Sequence, residues 1–509
     1  MIKFKRFSAI AAACCLLGGS VIAFGGCGGV KERVTLRVCN WEEYIDLGDW
    51  GEEERIDVAN PFTQEESIFG ENAMIADFEQ WFAENYGYNV KVEYSTFGTN
   101  EDLYNRLSLG DVYDLVCPSD YMMMKLLAED AVEKYSENFF NGENNYYSQY
   151  VSPYIDGVFS QYEWDEYAAC YMWGTTGLVY NPEKINTEDI STVKVLLNEN
   201  YKRQVTIKDN VRDSYFAALG IVNGNELIKP DLTAETRSLL LNDISESTIA
   251  NAEDVLKQIK ENVYSFETDS GKADMVTGKV IANYQWSGDA VHIMDEADGD
   301  ETELWYSVPQ ECSNLWFDGW IMLKKGINGN EQKREAAEAF VNFLSRPDNA
   351  VRNMYYIGYS SSIAGDENCS TVFDFLEYNY GDYEEAEQTF EYDVSYFFGE
   401  NSVITVDADC LDVEDSGEIN RGRQLFAQYP PANVTARSVV MLDFGDKLGQ
   451  INQMWINVRC LDLKDVSPLA YILGAVAVVL VVSACLLCKF RYKLFIKNKT
   501  GKGYERVEK

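Results

Sequence analysis

Apolar positions in the first part of the chain switch between two periods. Val34 to Cys39 alternates with period two and predicts a strand, whereas Phe78, Trp81 and Phe82 share one face of a helix over 77–87 that stops at Gly87. A strand over 89–97 follows. A helix then runs from a capping Asn100 to Gly110, with Leu103 and Leu107 on one face. The strand 113–117 leads through Pro118-Ser119-Asp120 into a Met- and Leu-rich helix ending near Asp130. This β-α-β-α-β order predicts an α/β fold with a mostly parallel sheet and helices on its faces. After Trp173-Gly174-Thr175-Thr176-Gly177, which reads as a crossing between two lobes, the pattern resumes. It gives strands over 204–208 and 279–286, an apolar-aromatic run over 314–323 and a helix over 331–344. The acidic, Tyr-rich stretch 365–432 reads as an elaboration of the second lobe.

In such sheets ligands sit beyond the carboxyl ends of the strands. Two segments end there: Trp41-Glu42-Glu43-Tyr44 after the first strand and Pro118-Ser119-Asp120-Tyr121 after the third. Charge narrows what they could hold. The 509 residues include 83 acids against 43 Lys and Arg, a net of −40, which argues against nucleic acid and permits a cationic ligand. The single histidine, His292, leaves no basis for a multi-histidine metal site or a Ser-His-Asp triad, and no cofactor is expected.

The two ends read as addresses. Lys3, Lys5 and Arg6 precede an apolar run to Phe24 and then Gly25-Gly26-Cys27. That is an export signal over 1–27 with a lipobox-like close, in which Cys27 is the candidate for lipidation. Residues 466–488 carry no charge and are long enough to predict a C-terminal transmembrane helix. The tail 489–509, with eight Lys/Arg and two Glu, predicts a cytoplasmic end and an acidic body outside the membrane. Seven further cysteines are scattered through that body without a Cys-x-x-Cys. Cys39 and Cys117 could be neighbours on adjacent strands, and small buried side chains are the plainer reading of both.

Seven stretches, taken in order, carry a resemblance: NWEEYI, YDLVCPSDYM, WGTTGLVYN, DNVRDSYFAALG, YQWSGDA, FDGWIMLK and IGYSSS. Together they resemble the spermidine/putrescine-binding proteins of ABC importers, over about 34–360 and again over 430–460. The resemblance implies a two-lobed periplasmic-binding-protein fold of type II. One lobe would hold 34–174 with 317–360, the other 175–316 with 361–460. It further implies a non-enzymatic receptor, periplasmic or extracellular, that closes on a polyamine and delivers it to an ABC permease with its ATPase. The positions that match the family's contacts are Trp41, Glu43, Tyr44, Tyr121, Asn210, Asp213, Trp286, Asp289, Trp316, Asp318 and Tyr359. Asn210 departs from an acid of the spermidine-binding pattern, and Asp289 completes the Trp-x-Gly-Asp of the putrescine-selective one.

Polyamine chemistry asks for such residues. Each buried ammonium needs a carboxylate, and the methylenes between ammoniums need aromatic walls whose faces also attract the charge. Several positions have plainer readings. Asn210 and Asp213 are spaced as a helix cap with an acid at its third position. Trp286 ends an apolar strand and could be core. Glu42 alternates to the solvent side of Glu43. The competing functions are a membrane-tethered receptor for a sugar or another cation, and an extracellular glycosidase working with two carboxylates.

Overall fold

Strand β1 (Arg33–Trp41) buries Val34, Leu36 and Val38 while Arg33 and Arg37 face outward, so its period-two pattern is the pleat itself. In a computed structural model the chain is described over residues 33–142, 145–381, 386, 388–414, 416–460 and 483. Strands β2 (Asn89–Phe97), β3 (Leu115–Val116), β4 (Val132–Glu133) and the long β5 (Ala168–Tyr180) follow. Then come β6 (Val205–Lys208), β7 (Ser265–Glu267), β8 (Ala282–Trp286) and β9 (Trp305–Ser307). The chain returns through β10 (Leu315–Leu323) and β11 (Ser360–Ser361), and ends with β12 (Thr389–Asp393), β13 (Val403–Asp407), β14 (Leu411–Val413) and β15 (Ile419–Gly422). Two compact units divide at Asn452, and the sheet and the site belong to the first.

Thirteen of these strands form one sheet in two halves. In the first half β1 lies parallel between β2 and β3, β10 runs antiparallel to β3 and β5, and β4 and β11 add to β10 and β5. In the second half β8 lies between β5 and β6, β7 is parallel to β6, and β9, β15 and β14 extend the other side. Strand β5 belongs to both: up to Thr175 it pairs with β10, and from Thr176 it pairs with β8. The crossing predicted at 173–177 is therefore the point where one strand changes partners.

The helices cover this sheet by their apolar faces. Helix Met74–Asn85 buries Met74, Phe78 and Phe82 at four-residue spacing, and Trp81 packs beside Phe78 and Phe343. Helix Asn100–Leu109 is capped by Thr99, not by Asn100 as expected, because the Thr99 hydroxyl accepts the Asp102 N–H. Asn100 instead turns inward to Ser119 and Tyr121. Cys39 and Cys117 are neighbours through the Cys117 N–H, and both are buried free thiols.

Two further expectations change. The C-terminal transmembrane helix is corrected: among the described residues no helix is long and apolar enough to cross a membrane. The longest, Glu246–Asn262, has 17 residues and carries acids and lysines along its outer face. All of 466–488 except Ser483 lies outside the described residues, as do Cys27, the rest of 1–27 and the tail 489–509. The late stretch 365–432 also divides, where an elaboration of the second lobe was expected. Strands β14 and β15 join β9 of the second half. The preceding part packs on the first half instead: Phe397 stacks on Trp173 and its carbonyl accepts the Ser152 hydroxyl. Aromatic residues so dense need an apolar surface, and the Trp173 side of β5 supplies one. The stretch 46–74, an acidic insert between β1 and the helix Met74–Asn85, is pinned by Arg352, which bonds Asp46, Asp77 and the Asn72 carbonyl.

Candidate functional site

Strand β10 slips register against β5 between Asp318 and Gly319, and this bulge aims the Asp318 side chain at the end of β1. There Asp318 accepts the Tyr44 hydroxyl on Oδ2 and the Ser119 hydroxyl on Oδ1, each at 2.7 Å. Tyr44 is itself held in place, since its carbonyl accepts from Asn40 Nδ2 and from the Tyr171 hydroxyl. The Trp41 indole packs on Phe97. Asp318 is buried and makes no ion pair among the described residues. Burial pushes its carboxyl up to about 6, against the two hydroxyls that hold it down.

Three rings continue from this carboxylate. Tyr359 meets Tyr44 edge to face at 5.4 Å and Trp316 at the same distance. Trp316 donates its indole N–H to the Thr175 carbonyl, where β5 changes partners. The Tyr359 ring lies against helix Ser287–Gly299 at Gly288, where a Cβ would fall 1.7 Å from a ring carbon. That absent side chain lets the Tyr359 hydroxyl reach Asp289 Oδ1 at 3.1 Å. First-half and second-half residues therefore touch through Tyr359 and Asp289.

The second half supplies the remaining groups. Asn210 caps helix Val211–Val222, accepting the N–H groups of Arg212 and Asp213 on its side chain. The plainer reading of Asn210 accounts for all its contacts. Asp213 is buried at the first turn of that helix and accepts the Trp286 indole N–H at 3.4 Å. Burial pushes Asp213 up to about 6, although the Trp286 bond, Lys208 and Arg212 all pull the other way. Asp289 behaves differently. Burial raises it too, but Lys208 at 3.5 Å and Lys272 at 3.0 Å hold its carboxyl below the usual range. Lys208, the last residue of β6, also donates to the Thr268 carbonyl at 2.7 Å and lies 4.1 Å over the Trp286 ring.

Tyr121 closes the fourth side. Its hydroxyl accepts from Asn100 and donates to Glu101, and the Arg212 guanidinium stacks 3.8 Å over its ring. Next to it, burial pushes Asp120 up to about 8 although its oxygens accept the Tyr121 and Phe317 N–H groups.

Nine of the eleven expected residues are thus linked by contacts through one another or through these neighbours; Trp41 acts on Asp318 only by helping to hold its carboxyl down, and Glu43 stands apart. Glu43 takes a left-handed turn conformation at φ +54° and is as exposed as Glu42. Its charge is felt at Lys272 and Tyr356. His292 is half-exposed beside Glu296. The residues that sequence reasoning missed are Ser119, Lys208, Arg212 and Lys272. Lys208 had a usable signal: a lysine closing the short Val-Thr-Ile strand two residues before the capping Asn210.

A family model described as bacterial extracellular solute-binding protein matches residues 73–365. Among curated proteins, the spermidine/putrescine-binding periplasmic protein of Salmonella typhimurium is 25% identical over 349 residues, covering 68% of this chain and 82% of that one. The putrescine-binding periplasmic protein PotF of Escherichia coli is 24% identical over 357 residues, covering 68% and 83%. Among solved structures, the spermidine/putrescine ABC transporter substrate-binding protein PotD of Streptococcus pneumoniae aligns with a TM-score of 0.53 at 21% identity, over 83% of this chain and 98% of that one. The TpPotD lipoprotein of Treponema pallidum aligns with a TM-score of 0.53 at 16% identity, over 84% and 99%.

Proposed function

The chain belongs to the bacterial extracellular solute-binding proteins, and on that premise we propose that its solute is a polyamine of the putrescine/spermidine class. The family binds solutes and does not transform them, so the glycosidase reading falls away. The observation that carries the polyamine reading is a pair of buried carboxylates without an ion-pair partner among the described residues, Asp213 and Asp318, set among Trp286, Trp316, Tyr44 and Tyr359. A buried carboxylate held above its ordinary pKa is a site short of positive charge, and an ammonium supplies it. The rings suit the methylenes between two ammoniums. The names of the curated relatives support the same class.

The lobes are proposed as 34–174 with 317–360 and the late part around Phe397, and 175–316 with the late part that carries β14 and β15, closing on the amine through contacts such as Tyr359 with Asp289. Delivery to an ABC permease with its ATPase belongs to this proposal. Calorimetry on the purified chain tests it. Putrescine or spermidine should bind with micromolar affinity or better, and added salt should weaken binding. Heat from a neutral sugar with none from either amine would replace the polyamine reading by a sugar one.

A further inference from the structure

Four acids were expected to serve the ligand's ammoniums, and the structure divides them. Glu43 is exposed, and Asp289 already has cations of the chain's own. Asp289 Oδ1 takes Lys272 at 3.0 Å and the Tyr359 hydroxyl at 3.1 Å, while Oδ2 faces Lys208 at 3.5 Å. A carboxylate has about four acceptor positions, so three of them are engaged. Lys208 is 1% exposed, which makes it a fixed part of the interior. Its ammonium also sits over the Trp286 ring, at 4.1 Å from the centroid, the kind of place that suits an ammonium.

Resting on the polyamine reading, we propose that Lys208 and Lys272 are specificity-determining residues: a built-in cation that closes the Asp289–Trp286 position to the ligand. Of the four expected acids, Asp213 and Asp318 then remain for two ammoniums. A diamine matches that number. A triamine would bring a third ammonium to a place where Asp289 is already neutralised and two lysines repel it, a selection by exclusion as much as by attraction. Taking Lys208 away should turn the site toward the longer amine.

The test compares putrescine with spermidine by calorimetry on the full chain, its Lys208→Met and Lys208→Gln variants and Lys272→Gln. Met keeps the apolar stem of Lys208, and Gln keeps a donor for the Thr268 carbonyl. The wild type should prefer the diamine at least tenfold. Each folded Lys208 variant should shift that ratio at least tenfold toward the triamine, and Lys272→Gln should shift it by less. A wild-type preference for the triamine overturns the inference, and so does an unmoved ratio in a folded Lys208 variant. If thermal melts show both Lys208 variants unfolded, a ratio unmoved in Lys272→Gln overturns it and a shift toward the triamine supports it. In any of these failures with the wild type still binding an amine, the polyamine reading stands alone. No amine bound by any of the four proteins overturns both.

Discussion

Tyr44 and Asp318 lie 274 residues apart in the chain, and the Tyr44 hydroxyl donates to the Asp318 carboxylate across 2.7 Å. The bond joins the loop after β1 to the bulge in β10, so the carboxylate is oriented before any ligand meets it. Hydrogen bonds to a charged acceptor contribute roughly 1.5–3 kcal/mol. Asp318→Asn should lower amine affinity more than tenfold by removing the charge. Tyr44→Phe should lower it by about tenfold. Calorimetric titration of both variants checks this; unchanged affinity in Asp318→Asn would remove that carboxylate from the site.

Affinity should climb with pH around 6. Asp213 and Asp318 are each held up to about 6 by burial, and only their ionised forms attract an ammonium. Below that value affinity should fall toward about tenfold per pH unit for each carboxylate, and binding near pH 6 should release protons. Titrations in buffers of different ionisation enthalpy measure that release. In Tyr44→Phe the midpoint should move to higher pH, because the lost hydroxyl is one of the groups holding Asp318 down.

Stability of the uncomplexed protein should run the other way. A carboxyl with a raised folded pKa binds its proton more tightly in the folded state. The contribution is present in full below about pH 4 and is lost as pH rises through the folded value. For Asp213 and Asp318 that loss spans about 4 to 6, and Asp120, pushed up to about 8, extends it. These three groups should lower Tm between pH 5 and 8 while amine affinity rises, and Asp120→Asn should flatten the upper part of the slope.

Gly288→Ala should separate folding from binding. The new Cβ would overlap the Tyr359 ring, which has to withdraw and give up its bond to Asp289. Affinity should fall at least tenfold with Tm within a few degrees of wild type. A variant that binds normally would mean that the Tyr359–Asp289 contact is dispensable.

Arg352→Met addresses the insert 46–74. Arg352 is buried and bridges the buried Asp46 to the partly exposed Asp77, so its loss leaves the Asp46 carboxylate in the interior without its ion pair. Breaking such a pair costs about 3–5 kcal/mol. Urea denaturation should register that loss, with amine affinity little changed in the folded fraction.

The alternation of strands and helices was legible because period two and period 3.6 separate cleanly around Val34, Phe78 and Leu103. So was the crossing at 173–177, where Gly174 and Gly177 leave room for Trp316 and Tyr306. Asp318 stood out because an acid inside an apolar run needs a reason. Spacing could not reveal the bulge that aims it, since a register slip depends on how β10 meets β5. Glu42 and Glu43 were set on opposite faces because alternation was carried past the end of β1, into a turn where it no longer holds. Lys208 escaped notice because its partners Thr268, Trp286 and Asp289 lie on other elements, which only the fold brings to it. The late aromatics gave no sign of which half they would cover.

The shared strand β5 has a kinetic consequence. At Thr175 and Thr176 its backbone is tied by side chains from both halves: Ser287 accepts the Thr175 N–H, Trp316 and Tyr306 donate to the Thr175 carbonyl, and Ser313 donates to the Thr176 carbonyl. Any pivot at this joint has to exchange those bonds before the halves can part. On the proposed closure of the two halves, how long a captured molecule stays is governed by the axle as well as by the grip. Substitutions at Ser287 or Ser313 should change the off-rate more than the contacts they make with a ligand could explain.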